Sequence, residues 1–327
     1  MPPRSARALW LKPPYEATIH EVCLPSPGAE DLVIRTCYTA VSRGTETLIY
    51  RNAVPDSEYE RVRAPFQSGT LPNPVKHGYA NVGVVEAGPD AWIDQKVFCL
   101  GPHQTRLVMS IKDVVVLPDN VPPERAVLAA NLETAINAVW DSGIGIGDHI
   151  SVVGAGVIGA LTAWLCAQLP GVDVELIDID VRKAFLGPAL GVRFATPETA
   201  STERDRLFHT SASAAGLNSA MAIAGFEATI TEMSWYGIQA VEAQLGGGFH
   251  AKRLTLKSSQ VGSLPSEQRA RWTLHRRLGL AVSLLHDQAL DVLFEPDQPF
   301  DALPQVMHWL TKAENPALCQ RIVYDAE

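Results

Sequence analysis

The sequence predicts an α/β chain: a doubly wound parallel sheet joined to a β-rich part. Three observations carry this. Strand-like and helix-like segments alternate from His149 onward. A Gly-rich turn, Gly154-Ala155-Gly156-Val157-Ile158-Gly159, leads from the first of those strands into a helix. Residues 1–120 read instead as short strands punctuated by Gly and Pro.

In the β-rich part, Leu32–Tyr38, Gly83–Glu86, Lys96–Leu100 and Val114–Leu117 are apolar, β-rich runs. Residues 51–76 are polar and Pro-rich, which predicts a long surface loop. The texture changes after Pro118. Pro122-Pro123-Glu124 opens a helix, and helical apolar spacing continues from Arg125 to Trp140. Strands then fall at His149–Val153, Val172–Ile177, Arg206–Thr210 and Thr229–Met233. Helices separate them at 156–169, 181–190 and 215–223. Such alternation means parallel strands joined by crossover helices. Residues 266–287 read as one more helix and Cys319–Tyr324 as a terminal strand. The expected division is one domain from 1–120 and 295–327 and another from 121–294.

Composition sets the limits. The chain has 327 residues, enough for two domains, and is 46% hydrophobic. A net charge of −9 argues against nucleic acid as a partner, because phosphate contacts need a basic face. Five scattered cysteines without a CxxC pair suit a reducing, cytoplasmic setting. Ile150–Val172 carries no charge, yet Gly154, Gly156, Gly159 and Pro170-Gly171 break it. A strand, turn and helix account for it better than a membrane span.

The Gly-rich turn is the strongest functional signal. Gly154 permits the tight turn, Gly156 lets a pyrophosphate approach the backbone, and Gly159 lets helix and strand pack closely. The diphosphate would rest on the free N–H groups around Ala155, Val157 and Ile158 at the positive helix end. The next strand closes at Asp178, 19 residues after Gly159, where an acid should meet the adenosine ribose. That carboxylate predicts NAD(H) in preference to NADP(H). Asp180 reads as a helix N-cap.

Together with this turn, Arg43-Gly44-Thr45-Glu46, Gly78-Tyr79-Ala80-Asn81-Val82-Gly83, Ser258-Ser259-Gln260-Val261-Gly262-Ser263 and Arg321 resemble the medium-chain dehydrogenase/reductase family, which includes the zinc alcohol dehydrogenases. The likeness runs over nearly the whole chain. It implies a Rossmann nucleotide domain within a split GroES-like catalytic domain, a small-molecule substrate, no membrane partner and a homodimer. The departures matter equally. The family motifs Cys-Gly-Thr-Asp and Gly-His-Glu-x-x-Gly give zinc ligands where this chain has Arg43 and Tyr79. Ala130 stands at the third ligand position, and the four-cysteine lobe is missing after Cys99. A catalytic zinc needs three N, S or O ligands, so the expectation is no zinc and a place in the zinc-less branch.

Without a metal, the substrate oxygen needs another electrophile and its proton another route. Arg43 offers a permanent charge and fixed donors. Thr45 matches the family's proton-relay hydroxyl, and Tyr79 could donate or accept the proton. The plainer alternative pairs Arg43 with Glu46 or Glu133 and leaves Tyr79 as filler. A guanidinium beside Tyr79 would lower its pKa. Trp235 and Tyr236, after the strand ending at Met233, could line the substrate pocket, with Glu133 and Trp140 reaching it too. Arg321 matches a family arginine on the pyrophosphate; its plain reading is an ion pair. The leading expectation is a zinc-independent alcohol/ketone oxidoreductase. A quinone or C=C reductase, or a silent NAD(H)-binding protein, stand beside it.

Overall fold

The computed structural model describes residues 5–312 and 315–325. The chain forms two compact units. One comprises Met1–Ala130, Leu278–Asp287 and Phe294–Glu327; the other comprises Asn131–Arg277 and Gln288–Leu293.

The second unit is built on six strands: β1 (His149–Val153), β2 (Asp173–Ile177), β3 (Arg193–Ala195), β4 (Arg204–His209), β5 (Ala224–Glu232) and β6 (Thr255–Ser258). They pair in parallel in the order 3-2-1-4-5-6, the doubly wound arrangement. The strands β1 and β2 are buried along nearly their whole length, as expected for a sheet covered on both faces. Helix α1 (Val157–Ala167) is apolar on every side and is correspondingly buried. Helices α2 (Leu186–Leu190) and α3 (Ala214–Ile223) follow β2 and β4.

The first unit carries a sheet in the order Gln298–Pro299, Gln320–Val323, Asp31–Val41, Asn81–Ala87, Lys96–Cys99 and Val114–Val116, with Arg106–Ser110 paired to Asp31–Val41. Leu32, Ile34, Val85, Val97 and Leu107 fill its core. A second small sheet uses an N-terminal hairpin, Ser5–Lys12 with Glu16–Cys23, that the sequence reading passed over. Among the described residues, no helix is long and apolar enough to cross a membrane.

Several helices differ from expectation. The segment after Pro123 is two helices, Pro123–Ala126 and Ala129–Ser142, rather than one. Residues 181–190 form a 3-10 segment, Val181–Phe185, before α2, which contains Pro188 and ends on Gly191 at φ 70°. The helix expected over 266–287 is only Leu274–Leu284. It starts there because the Thr273 hydroxyl accepts from Arg276 N at 3.1 Å, an N-cap that ends the preceding turns.

Candidate active site

The nucleotide turn follows from local sterics. Gly154 has φ 111°, a backbone that L side chains rarely adopt. A Cβ on Gly159 would collide with the Gly154 carbonyl oxygen, so helix and turn pack only because Gly159 has no side chain. Gly156 differs, because a Cβ there would meet no protein atom within 4 Å. It is the N-cap of α1 and offers no side chain to the first-turn N–H groups. Val157 and Ile158 therefore open a helix whose donors face open space, which suits a diphosphate. These residues fit a dinucleotide.

Asp178 lies beside this turn. Its carboxylate accepts from Ala155 N at 2.7 Å and from Asp180 N at 2.8 Å, so the Ala155 N–H is not free for a diphosphate as expected and only those of Val157 and Ile158 remain. Lys183 Nζ also reaches it, at 3.0 Å. Lys183 offsets the Asp178 charge. Asp180 is the expected N-cap, accepting from Arg182 N.

At the positions that bear zinc in the resembling family, the short helix Arg43–Tyr50 meets the segment before the strand Asn81–Ala87. Its N-cap is Ser42, and Glu46, one turn on, reaches back so that its carboxylate accepts from Ser42 N at 2.8 Å. The other carboxylate oxygen lies 3.0 Å from His103 Nε2 and 3.9 Å from His77 Nδ1. His103 Nδ1 is 2.7 Å from the Thr39 hydroxyl, which is 3.2 Å from Tyr324 Oη. Glu46, Thr39 and both histidines are buried. Burial alone would raise the Glu46 pKa, but His103 and His77 outweigh it and hold the carboxyl down at about 2.

Tyr79 stands over this network, its ring edge-on to His77 at 5.8 Å. Ser42 and Thr45 lie near enough to its hydroxyl to favour the ionised form slightly. The expected pKa is reversed, however. Burial and the Glu46 charge push the phenol up to about 12, and Arg43 does not offset them. The half-buried Arg43 guanidinium instead donates to Ala317 O at 3.2 Å. Burial and Arg51 lower its own pKa. Neither anticipated partner holds it: Glu46 is engaged by the histidines, and Glu133 by Arg277 at 3.0 Å.

The donor set does not fit a catalytic zinc, since an arginine, a phenol and Ala130 hold the three positions. Among the described residues, no group of three or more His, Cys, Asp or Glu could hold a metal ion.

Other expectations need correction. The Glu133 carboxylate is tied to a fully buried Arg277, which also bonds Asn137 and the Val261 carbonyl. The Glu133 carboxylate is committed to this cluster. Trp140 packs on Trp272, ring centres 4.8 Å apart. Tyr236 donates to Glu232 at 3.0 Å and stacks on His209; Trp235 beside it is half-buried. Arg321 binds Asp297 at 2.7 Å and Glu124 O at 2.9 Å and lies over the Phe294 ring, the plain ion-pair reading. A cavity of about 430 Å³ near Cys37, Lys96 and Glu124 contains none of the expected catalytic residues. The sequence reading missed His77, His103, Thr39 and Tyr324. No local spacing announces them, because Glu46 and His103 are 57 positions apart.

No family model matches the chain. It is 23% identical over 210 residues to an uncharacterized zinc-type alcohol dehydrogenase-like protein of Haemophilus influenzae, a match covering 57% of this chain and 60% of that protein. D-guloside 3-dehydrogenase of Escherichia coli is 23% identical over 277 residues, covering 76% of this chain and 79% of the relative. Among solved structures, a putative zinc-binding dehydrogenase from Sinorhizobium meliloti bound to NADP superposes with a TM-score of 0.78. It is 15% identical, with 98% of this chain and 99% of that one covered. Sequence relatives and structural neighbours are thus zinc-type alcohol dehydrogenase-like proteins, in agreement with the medium-chain dehydrogenase/reductase resemblance that the motifs carry.

Proposed function

We propose that this chain is a zinc-independent, NAD(H)-dependent oxidoreductase that moves hydride between the nicotinamide and an alcohol or ketone. One observation carries the reading. The cofactor turn keeps its steric logic, while the positions that bear zinc ligands in the family hold a guanidinium, a phenol and an alanine, beside a buried Glu46–His103 pair. When bound, the nicotinamide supplies the hydride donor or acceptor.

The protein's own residues do the rest. The Gly154–Gly159 turn carries the diphosphate and Asp178 the adenosine ribose. Asp178 favours NAD(H) over NADP(H), though Lys183 at 3.0 Å reduces the margin. Tyr79 holds a proton on its phenol oxygen throughout the neutral range, because its pKa lies near 12. It therefore acts as a proton donor to a forming alkoxide, with Thr45 passing the proton on. Arg43 contributes positive charge to the site from its place on Ala317 O, without reaching the Tyr79 phenol. Glu46 and His103 position the helix that carries Arg43 and Thr45.

A homodimer is the assembly we favour. The edge strand β6 is largely exposed, with Leu256 outward, and offers unpaired backbone groups. Monomeric mass in solution would count against it. The deciding experiment follows NADH oxidation against a panel of ketones, quinones and enones. Turnover on ketones supports the proposal and turnover confined to quinones or enones redirects it. NADH binding without turnover on any of them would mark a silent nucleotide-binding protein.

A further inference from the structure

The reversal of strand order in the second unit lies between β1 and β4, where open α/β sheets bind their ligands. Gly154 leaves β1 and Ser211 leaves β4 at this place, and the two segments touch. The Thr210 hydroxyl donates to Gly154 O at 2.8 Å, and a Cβ on Gly154 would come within 2.7 Å of Ser211 N.

Ser211 is exposed, yet a chain of buried and half-buried groups holds it from behind. Its Oγ lies 2.7 Å from His209 Nε2, and His209 Nδ1 lies 2.7 Å from Glu232 Oε2. Glu232 also accepts from Tyr236 Oη at 3.0 Å and Ser234 N at 2.8 Å. The His209 side chain is fully buried. The chain has a direction. A carboxylate can only accept, so Nδ1 carries the proton of a neutral imidazole and Nε2 becomes the acceptor. Ser211 therefore donates inward, accepts from the Ser213 hydroxyl at 2.9 Å, and keeps its second lone pair for a donor outside.

Two further features show that the arrangement is built in. Any side chain on Gly216, in the first turn of α3, would collide with Ser211 Oγ and lie 2.9 Å from His209 Nε2. Ala212, next after Ser211, takes φ 51°, a left-handed conformation that costs a residue with a Cβ. Neither Ser211 nor His209 belongs to any motif singled out in the sequence.

We propose that Ser211 accepts a hydrogen bond from a ribose hydroxyl in the nicotinamide half of the dinucleotide, and that His209 and Glu232 position it for this. The inference rests on the cofactor reading above. Asp178 closes β2, on one side of β1, and takes the adenosine ribose; the other mononucleotide half then lies towards β4 and β5. Ser211 is the exposed hydroxyl with a fixed direction on that side.

Three nucleotides separate the outcomes. ADP has the adenosine ribose and diphosphate but lacks the second ribose; ADP-ribose adds it; NADH adds the nicotinamide. Calorimetry on the full chain should give Ser211→Ala an affinity loss of about fivefold for ADP-ribose and NADH, the worth of one neutral hydrogen bond, and none for ADP. His209→Gln should show the same selective loss. In the double variant the two losses should not add, because His209 acts through Ser211. Unchanged ADP-ribose affinity in Ser211→Ala would overturn the proposal. An equal loss for ADP would also overturn it, by moving the contact to the diphosphate or to the fold. Wild-type protein that binds none of the three would overturn the cofactor reading itself and this proposal with it.

Discussion

The Glu46 carboxylate meets the Nε2 of His103 at 3.0 Å, with both side chains fully enclosed. The helix start at Ser42 and the loop at Gly101-Pro102-His103 are tied together through this one contact. Its consequences are measurable.

The first concerns acid stability. The Glu46 pKa is lower in the folded chain, about 2, than the ordinary carboxylate value of 4.5. A depressed pKa contributes stability that is fully present above the ordinary value and is lost as pH falls towards 2. The shift corresponds to something on the order of 3 kcal/mol at neutral pH. Glu46→Gln should lower the melting temperature at pH 7 and flatten its decline between about pH 5 and pH 2. A variant melting like the wild type at pH 7 would show that the pair contributes little.

The second concerns Tyr79 and Arg43. Tyr79→Phe should reduce turnover by ~100–10,000-fold and leave NADH affinity nearly unchanged. Because the phenol is held near 12, the wild-type rate should show no limb from Tyr79 ionisation between pH 6 and 9. Arg43→Lys should not restore what Arg43→Ala loses, since an ammonium lacks the planar fork that can keep Ala317 O and still present a donor. Full activity in Tyr79→Phe would remove the phenol from the mechanism.

Cofactor choice follows from Asp178 and Lys183. Asp178→Ala should weaken NADH by about tenfold, as expected for a charged hydrogen-bond acceptor, and narrow the gap to NADPH. Lys183→Ala should widen that gap, because it leaves the carboxylate uncompensated against a 2′-phosphate. Wild-type protein that binds NADPH more tightly than NADH would reverse the assignment.

Metal analysis gives the fourth test. The purified protein should carry no stoichiometric zinc, and a chelator should leave its melting temperature unchanged. About one tightly held zinc per chain would mean that residues other than Arg43, Tyr79 and Ala130 supply the ligands.

Local order in the chain was enough for much of this. The alternation of β-branched runs with helices, the glycines at 154, 156 and 159, and Asp178 at the end of β2 predicted the doubly wound sheet and its nucleotide turn. Those features work over a few residues: a turn needs a glycine where φ is positive, and a helix needs one where it packs on that turn. The ends of helices were legible only in part, since Thr273 as an N-cap and Pro188 within 181–190 act through details that apolar spacing does not record.

Tertiary structure decided what the polar side chains do. Glu46 takes His103 rather than Arg43, Glu133 takes Arg277, Arg321 takes Asp297, and Ser211 takes His209 with Glu232 behind it. Position in the motif suggested partners, but a buried charge goes to whichever donor the fold brings within hydrogen-bonding distance. Segments far apart in sequence supply that partner. The same cause reversed the Tyr79 pKa. Desolvation and the Glu46 charge depend on what surrounds the phenol in space, and the residues beside it in the chain carry no record of that.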